Sequence, residues 1–155
     1  MVLRKTSFPL LAFLLACVAL PANADRAEDA VKSRQALMQL NSFNIGGLVA
    51  MAKGEQPYDA DTAKTYADNL NQLSHMDILV MFPEGTDDEA MAGKTNALKV
   101  IWTTLPAIQD KQTAWREATE KLAATAGTGL DEMKAGLGEV GNACNGCHET
   151  YRKPF

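Results

Sequence analysis

The stretch LDEMKAGLGEVGNACNGCH, residues 130–148, decides how the rest of the chain is read. Its apolar positions Leu130, Met133, Leu137, Val140, Cys144 and Cys147 follow one another by alternating steps of three and four, the spacing that lines up one face of an α-helix. Thr128 and Asp131 stand as a capping-box variant, so this helix is expected to start near Leu130. A single amphipathic helix cannot bury its own stripe, and the residues upstream supply more of the same kind.

Gly127 and Gly129 close the preceding helix, which takes Thr104 as its cap, Pro106 in its first turn and Ile108, Trp115, Ala118 and Leu122 as its buried stripe. Before it, Pro83 to about Ala97 holds Gly85, Thr86, Asp87, Asp88, Gly93 and Asn96 without a sustained apolar period, and reads as the longest loop. A second helix, capped by Asp59, carries Ala63, Tyr66, Leu70 and Leu73 and is expected to end near Leu79. The first runs without proline from Arg26 to about Lys53, with Ala27, Val31, Leu37, Met38, Ile45, Leu48 and Ala52 on its stripe, until Gly54 and Pro57 stop it. Nothing alternates with period two. The expectation is an all-α protein, one antiparallel up-down-up-down four-helix bundle over residues 25–155.

Residues 1–24 are set apart. Arg4 and Lys5 precede an apolar run of 13 residues from Phe8 to Leu20, and Ala22-Asn23-Ala24 offers small residues two apart. This is the pattern of an export signal cleaved after Ala24, which predicts a periplasmic protein. The run is too short for an integral membrane span, which needs about 20 apolar residues. Leu14-Leu15-Ala16-Cys17 also loosely resembles a lipoprotein processing site, which would leave Cys17 lipidated. Loss of Arg4 and Lys5 would move the formal charge from −4 to −6. An acidic chain without a Lys/Arg block argues against nucleic acid as a partner and favours basic or neutral docking partners.

With Cys17 removed, two cysteines remain, three apart, so no disulfide framework is expected. Cys144-Asn145-Gly146-Cys147-His148 is instead the CxxCH signature of covalent haem attachment. Two thiols add to the haem vinyl groups and the adjacent histidine reaches the iron on its proximal side. Residues three apart share a helix face, so both sulfurs meet one porphyrin edge while His148 projects beneath its centre. A thioredoxin-like redox pair would want a βαβ context, and a zinc site would want two further ligands at suitable spacing. His75, among Ser74, Met76 and Asp77, reads as an ordinary surface histidine.

Only seven residues follow His148, so any sixth iron ligand must come from upstream. The C-terminal placement of the motif on a four-helix chain resembles the class II cytochromes c, cytochrome c′ in particular. The resemblance is carried by Ala30-Val31-Lys32-Ser33-Arg34-Gln35-Ala36-Leu37-Met38, Lys53-Gly54-Glu55-Gln56-Pro57-Tyr58-Asp59, Pro83-Glu84-Gly85-Thr86, Ile101-Trp102, and the CxxCH with Glu149-Thr150-Tyr151-Arg152 after it. It departs where many members of that family have a tryptophan and this chain reads Ile78-Leu79-Val80.

The resemblance implies one covalently attached haem c within the bundle and an iron that is usually five-coordinate. Carried across by position, Met38 is the bulky first-helix residue on the distal face, Arg34 and Gln35 are the pair beside the haem and its propionates, and Arg152 is the basic residue after the proximal histidine. Met38 has three readings: core filler, steric lid over an open iron site, or sixth ligand. Arg34 falls on the inward stripe, where a propionate or a solvated edge must satisfy its charge, or else it snorkels at the bundle rim. The leading expectation is a haem protein with a largely apolar distal pocket that admits NO or CO and exchanges one electron. The alternative is a dedicated electron carrier with both His148 and Met38 on iron. An enzyme such as a peroxidase would need a distal acid–base residue, and none is evident, so no catalytic residue is expected. A homodimer through the first two helices and an unidentified redox partner complete what the resemblance implies.

Overall fold

The computed structural model describes residues 21–154. Residues 1–20, most of the expected leader and its Cys17, lie outside the described residues. The four long helices are α1 (Pro21–Ala52), α2 (Ala60–Ser74), α4 (Leu105–Thr125) and α5 (Leu130–Tyr151), with α3 a single turn at Val100–Thr103. α1 packs on α2 and α5, and α4 packs on the same two, which closes a square four-helix bundle. No strand occurs among the described residues.

The helix ends show which local signals operate. α1 stops where Gly54 takes φ +73°, a left-handed conformation that suits glycine, with Gly54 N–H donating to the Met51 carbonyl at 3.1 Å and Glu55 N–H to that of Ala50 at 2.9 Å. Asp59 caps α2 as expected, accepting from the Thr62 N–H at 2.8 Å.

Three expectations are corrected. α2 ends at Ser74 rather than near Leu79, because the Asp77 carboxylate accepts the Leu79 N–H at 3.1 Å and starts a separate 3-10 turn over Ile78–Met81. Thr104 precedes α4 without a side-chain cap bond: its hydroxyl donates to the Val100 carbonyl at 2.8 Å, which closes α3 instead. Thr128 and Asp131 make no capping box, since the Thr128 hydroxyl turns back to the Thr125 carbonyl at 2.8 Å and Gly129 occupies the cap position of α5.

The main core lies at one end of the bundle. Leu48, Leu70, Leu122, Met133 and Val140 are fully buried there, with Ala63, Ala67 and Ala126 letting the backbones approach. Each fully buried large side chain is worth about 1.5–3 kcal/mol relative to exposure. At the other end two small clusters, Leu37–Ile78–Trp115 and Ala97–Ile101–Ile108–Tyr151, leave space between them. Met38 leaves the buried stripe expected for α1: it is 39% exposed and faces that space, while the stripe continues through Leu37, Asn41, Asn44 and Leu48.

Candidate functional site

The last turns of α5 present Cys144, Cys147 and His148 half-buried, both thiols free. Burial pushes both thiols up, and at Cys147 the nearby Lys111 ammonium works against that rise. Burial, and then the Arg152 guanidinium, push the His148 imidazole down from its ordinary value. A neutral imidazole with a free lone pair is the form that binds a metal.

These residues open onto a cleft of two lobes, about 420 Å³ and about 340 Å³, sizes within the range of cofactor sites. Met38 of α1, Ile78, Ile108 of α4, and Cys147, His148 and Arg152 line both lobes, which makes them one continuous site. Arg34, Gln35, Ala97 and Tyr151 belong to the larger lobe; Asn41, Lys111, Trp115 and Cys144 belong to the smaller. Every sequence-predicted site residue therefore reaches the cleft. Among the described residues its charged side chains, His148 apart, are Arg34, Lys111 and Arg152, and no carboxylate lines it. An apolar, cation-lined cleft with two thiols and an imidazole on one wall fits a flat macrocycle that carries its own carboxylates and bonds to sulfur.

The surroundings of Arg34 differ from expectation. Neither a solvated edge nor a rim position serves it, because it is 5% exposed. One terminal nitrogen donates to the Thr86 hydroxyl at 2.8 Å and the Met81 carbonyl at 3.3 Å; the other donates to the Thr86 carbonyl at 2.5 Å and the Thr95 hydroxyl at 2.7 Å. The Phe82 ring lies 4.6 Å from the guanidinium carbon. Four of the five N–H donors are thus taken by segment 83–97 and the turn before it, without a propionate. Burial pulls the guanidinium pKa down to about 10, which leaves it charged at neutral pH. Gln35 grips the same segment through the Lys94 carbonyl at 2.7 Å, and Lys94 pairs with Glu28 at 3.2 Å.

Segment 83–97 is therefore a strap. Gly85, at φ +81°, allows the turn in which the Thr86 hydroxyl donates to the Pro83 carbonyl at 2.8 Å and stays oriented toward Arg34. At its far end Ala97 pairs with Arg152 as an antiparallel bridge, with Leu98 N–H donating to the Tyr151 carbonyl at 2.9 Å and Lys153 N–H to that of Asn96 at 2.8 Å.

Sequence reasoning missed Thr86, Thr95, Lys111 and Asn41. Asn41 puts a polar amide into a wall expected to be apolar: its Nδ2 donates to the Leu37 carbonyl at 3.0 Å, and no protein group donates to its buried Oδ1. Its place three residues after Met38, on the same helix face, was the available signal.

The cytochrome c′ family model matches residues 29–152. The chain belongs to the cytochrome c′ family. Among curated relatives, the cytochrome c′ of Cereibacter sphaeroides is 38% identical over 143 residues, which cover 92% of this chain and 95% of the relative. Among solved structures, a cytochrome c′ from Rhodobacter spheriodes superposes with a TM-score of 0.79 at 37% identity, over 83% of this chain and 98% of the other. The cytochrome c′ of Alcaligenes xylosoxidans, solved as variants with carbon monoxide and with nitric oxide bound, superposes with a TM-score of 0.71 at 35% identity, over 83% of this chain and 97% of the other. These structures carry the four-helix bundle across to this chain, and cytochromes c′ bind haem c.

Proposed function

We propose that this chain is a periplasmic monohaem cytochrome of the c′ type, with its haem bonded through Cys144 and Cys147 and held at the iron by His148. The bound haem would supply an iron that takes up a small ligand and exchanges one electron. The chain's own residues bind it, orient it and keep water away. Cys144 and Cys147 would hold the haem, Ile78, Ile108 and Trp115 supply the dry walls of the cleft, and Met38 lines it from α1. Arg152 is set beside His148 as the charge on the proximal side.

The observation that carries this reading is the shared lining: Met38 and His148, from different helices, both face the two lobes. Met38 is 39% exposed and its position suits a lid over an open site, which would leave a bound iron available to NO or CO. The same placement is what favours the second reading, in which the Met38 thioether is itself the sixth ligand and the protein is an electron carrier. Neither reading assigns a catalytic residue. The expected homodimer has a matching surface, since Leu40 and Phe43 are 52% and 69% exposed on the outer side of α1 and Phe43 meets Tyr66 of α2 edge to face, ring centres 6.1 Å apart.

The test is the mass and spectrum of the denatured protein, expressed with a c-type haem attachment system. One haem should stay with the chain through acid-acetone extraction, each of Cys144→Ala and Cys147→Ala should weaken that retention, and the pair together should abolish it. The same mass should place the N-terminus at Asp25. A chain that gives up all its haem on extraction would refute covalent attachment.

A further inference from the structure

Arg34 sits one helical turn from Met38, and its hydrogen bonds run to the strap, whose Thr95 lines the larger lobe, and to the turn before it. A buried cation bonded to neutral oxygens of one segment fixes that segment, because releasing any one bond strands a charge donor in a dry place. The strap does not end in solvent. Its last residues, Asn96 and Ala97, pair with Lys153 and Arg152, and Leu98 just after it with Tyr151, the end of α5 three residues beyond His148. Thr95 joins the two ends: its hydroxyl accepts from Arg34 at 2.7 Å and from the Ala97 N–H at 3.2 Å. An unbroken run of contacts thus leads from Arg34 on the distal helix, through Thr95 and Ala97, to Arg152 on the proximal side.

We propose that Arg34 is a positioning residue for the proximal half of the site, holding Arg152 and, through the end of α5, His148 in place by way of the strap. This rests on the reading of His148 as the iron ligand. A residue that merely filled the core beside the cleft would influence only its neighbours. Arg34 acts on the Ala97–Arg152 bridge, whose Arg152 side lies more than a hundred residues further along the chain. Lysine in its place keeps the charge but presents one nitrogen where two now serve separate acceptors, so it restores the link only in part.

The experiment uses the haem-loaded protein and the variants Arg34→Met, Arg34→Lys and Thr95→Val. Two quantities are read: amide hydrogen exchange at Leu98 and Lys153, the donors of the strap–α5 pairing, and the iron–histidine stretching band of the ferrous protein. Exchange at Leu98 and Lys153 should quicken by about tenfold or more in Arg34→Met, the scale of one lost charged hydrogen bond, less in Arg34→Lys and Thr95→Val. Exchange at Leu122 and Val140 should stay unchanged, and the iron–histidine band should shift in the same order as the exchange. Should Arg34→Met fail to fold, the two milder variants carry the same comparison. Faster exchange confined to residues before Thr95, with Leu98, Lys153 and the band unmoved, would overturn the proposal. An absent iron–histidine band in the unmodified protein would instead defeat the reading of a five-coordinate iron held by His148, while the exchange data would still report on the strap.

Discussion

Where α1 nears its end, Leu48, Leu70, Leu122, Met133 and Val140 meet without exposed surface, whereas half a bundle away the same α1, α4 and α5 stand apart around Met38, Cys147 and His148. The difference comes from α2. It has 15 residues against 21 in α4 and 22 in α5, about 23 Å against more than 30 Å of helix. Asp77 ends the helical register before α2 can fill the fourth corner along the full length. The 3-10 turn and the strap then form that corner as a thin wall of Ile78, Phe82 and Thr95–Ala97. One end of the bundle carries stability and the other carries the cleft, and the substitutions that matter most at each should separate the two roles.

Leu122→Ala, at the closed end, should have the largest effect: a loss of about 2–5 kcal/mol in denaturant unfolding, with the visible spectrum of the folded protein unchanged. A spectral change in this variant would mean that the two ends are not independent. Asn41→Leu should act oppositely at the open end, raising stability by about 1–2 kcal/mol, because an amide oxygen that no protein group satisfies is replaced by an apolar side chain in an apolar wall. Chemical denaturation of the haem-loaded protein checks this, and a stability loss of similar size would show that Asn41 bonds to something within the cleft. Met38→Ala should change stability by less than about 1 kcal/mol, as befits a side chain that is not in the core, and should quicken CO association measured by stopped flow.

The smallest effect should be one of pH. The Asp87 carboxylate accepts the Glu89 and Ala90 N–H groups at 3.0 and 2.9 Å, and these bonds, that of Ala90 above all, hold it below its ordinary value of 3.8. A carboxylate whose pKa is depressed on folding contributes stability above its unfolded value and loses it as pH falls through the folded one. Amide exchange at Glu89 and Ala90, corrected for the intrinsic rate, should therefore quicken only as pH drops below 3.8, and Asp87→Ala should show the faster exchange at neutral pH as well.

Much of this contrast was legible in the sequence. The stripes of α4 and α5 gave Ile108, Trp115, Leu122, Met133 and Val140 as core residues because period and burial coincide along regular helices. The CxxCH motif located the site because its spacing is itself the geometry. Helix ends were less legible: Asp59, Thr104 and Thr128 are all good caps on paper, and which of them bonds its own helix depends on where the chain goes next. The strap was visible only as an absence of period. Burial of Arg34 could be inferred from its place between Val31 and Leu37, but its acceptors, 52 and 61 residues away, are fixed by a turn at Gly85 that no helical pattern records.

In the function proposed above, the cleft holds a haem with His148 beneath it and an accessible face under Met38. Visible spectra of the ferrous protein, recorded with and without CO, test this most directly. A high-spin spectrum that CO converts to a low-spin one is expected. A low-spin spectrum indifferent to CO would contradict it and place the Met38 thioether on the iron.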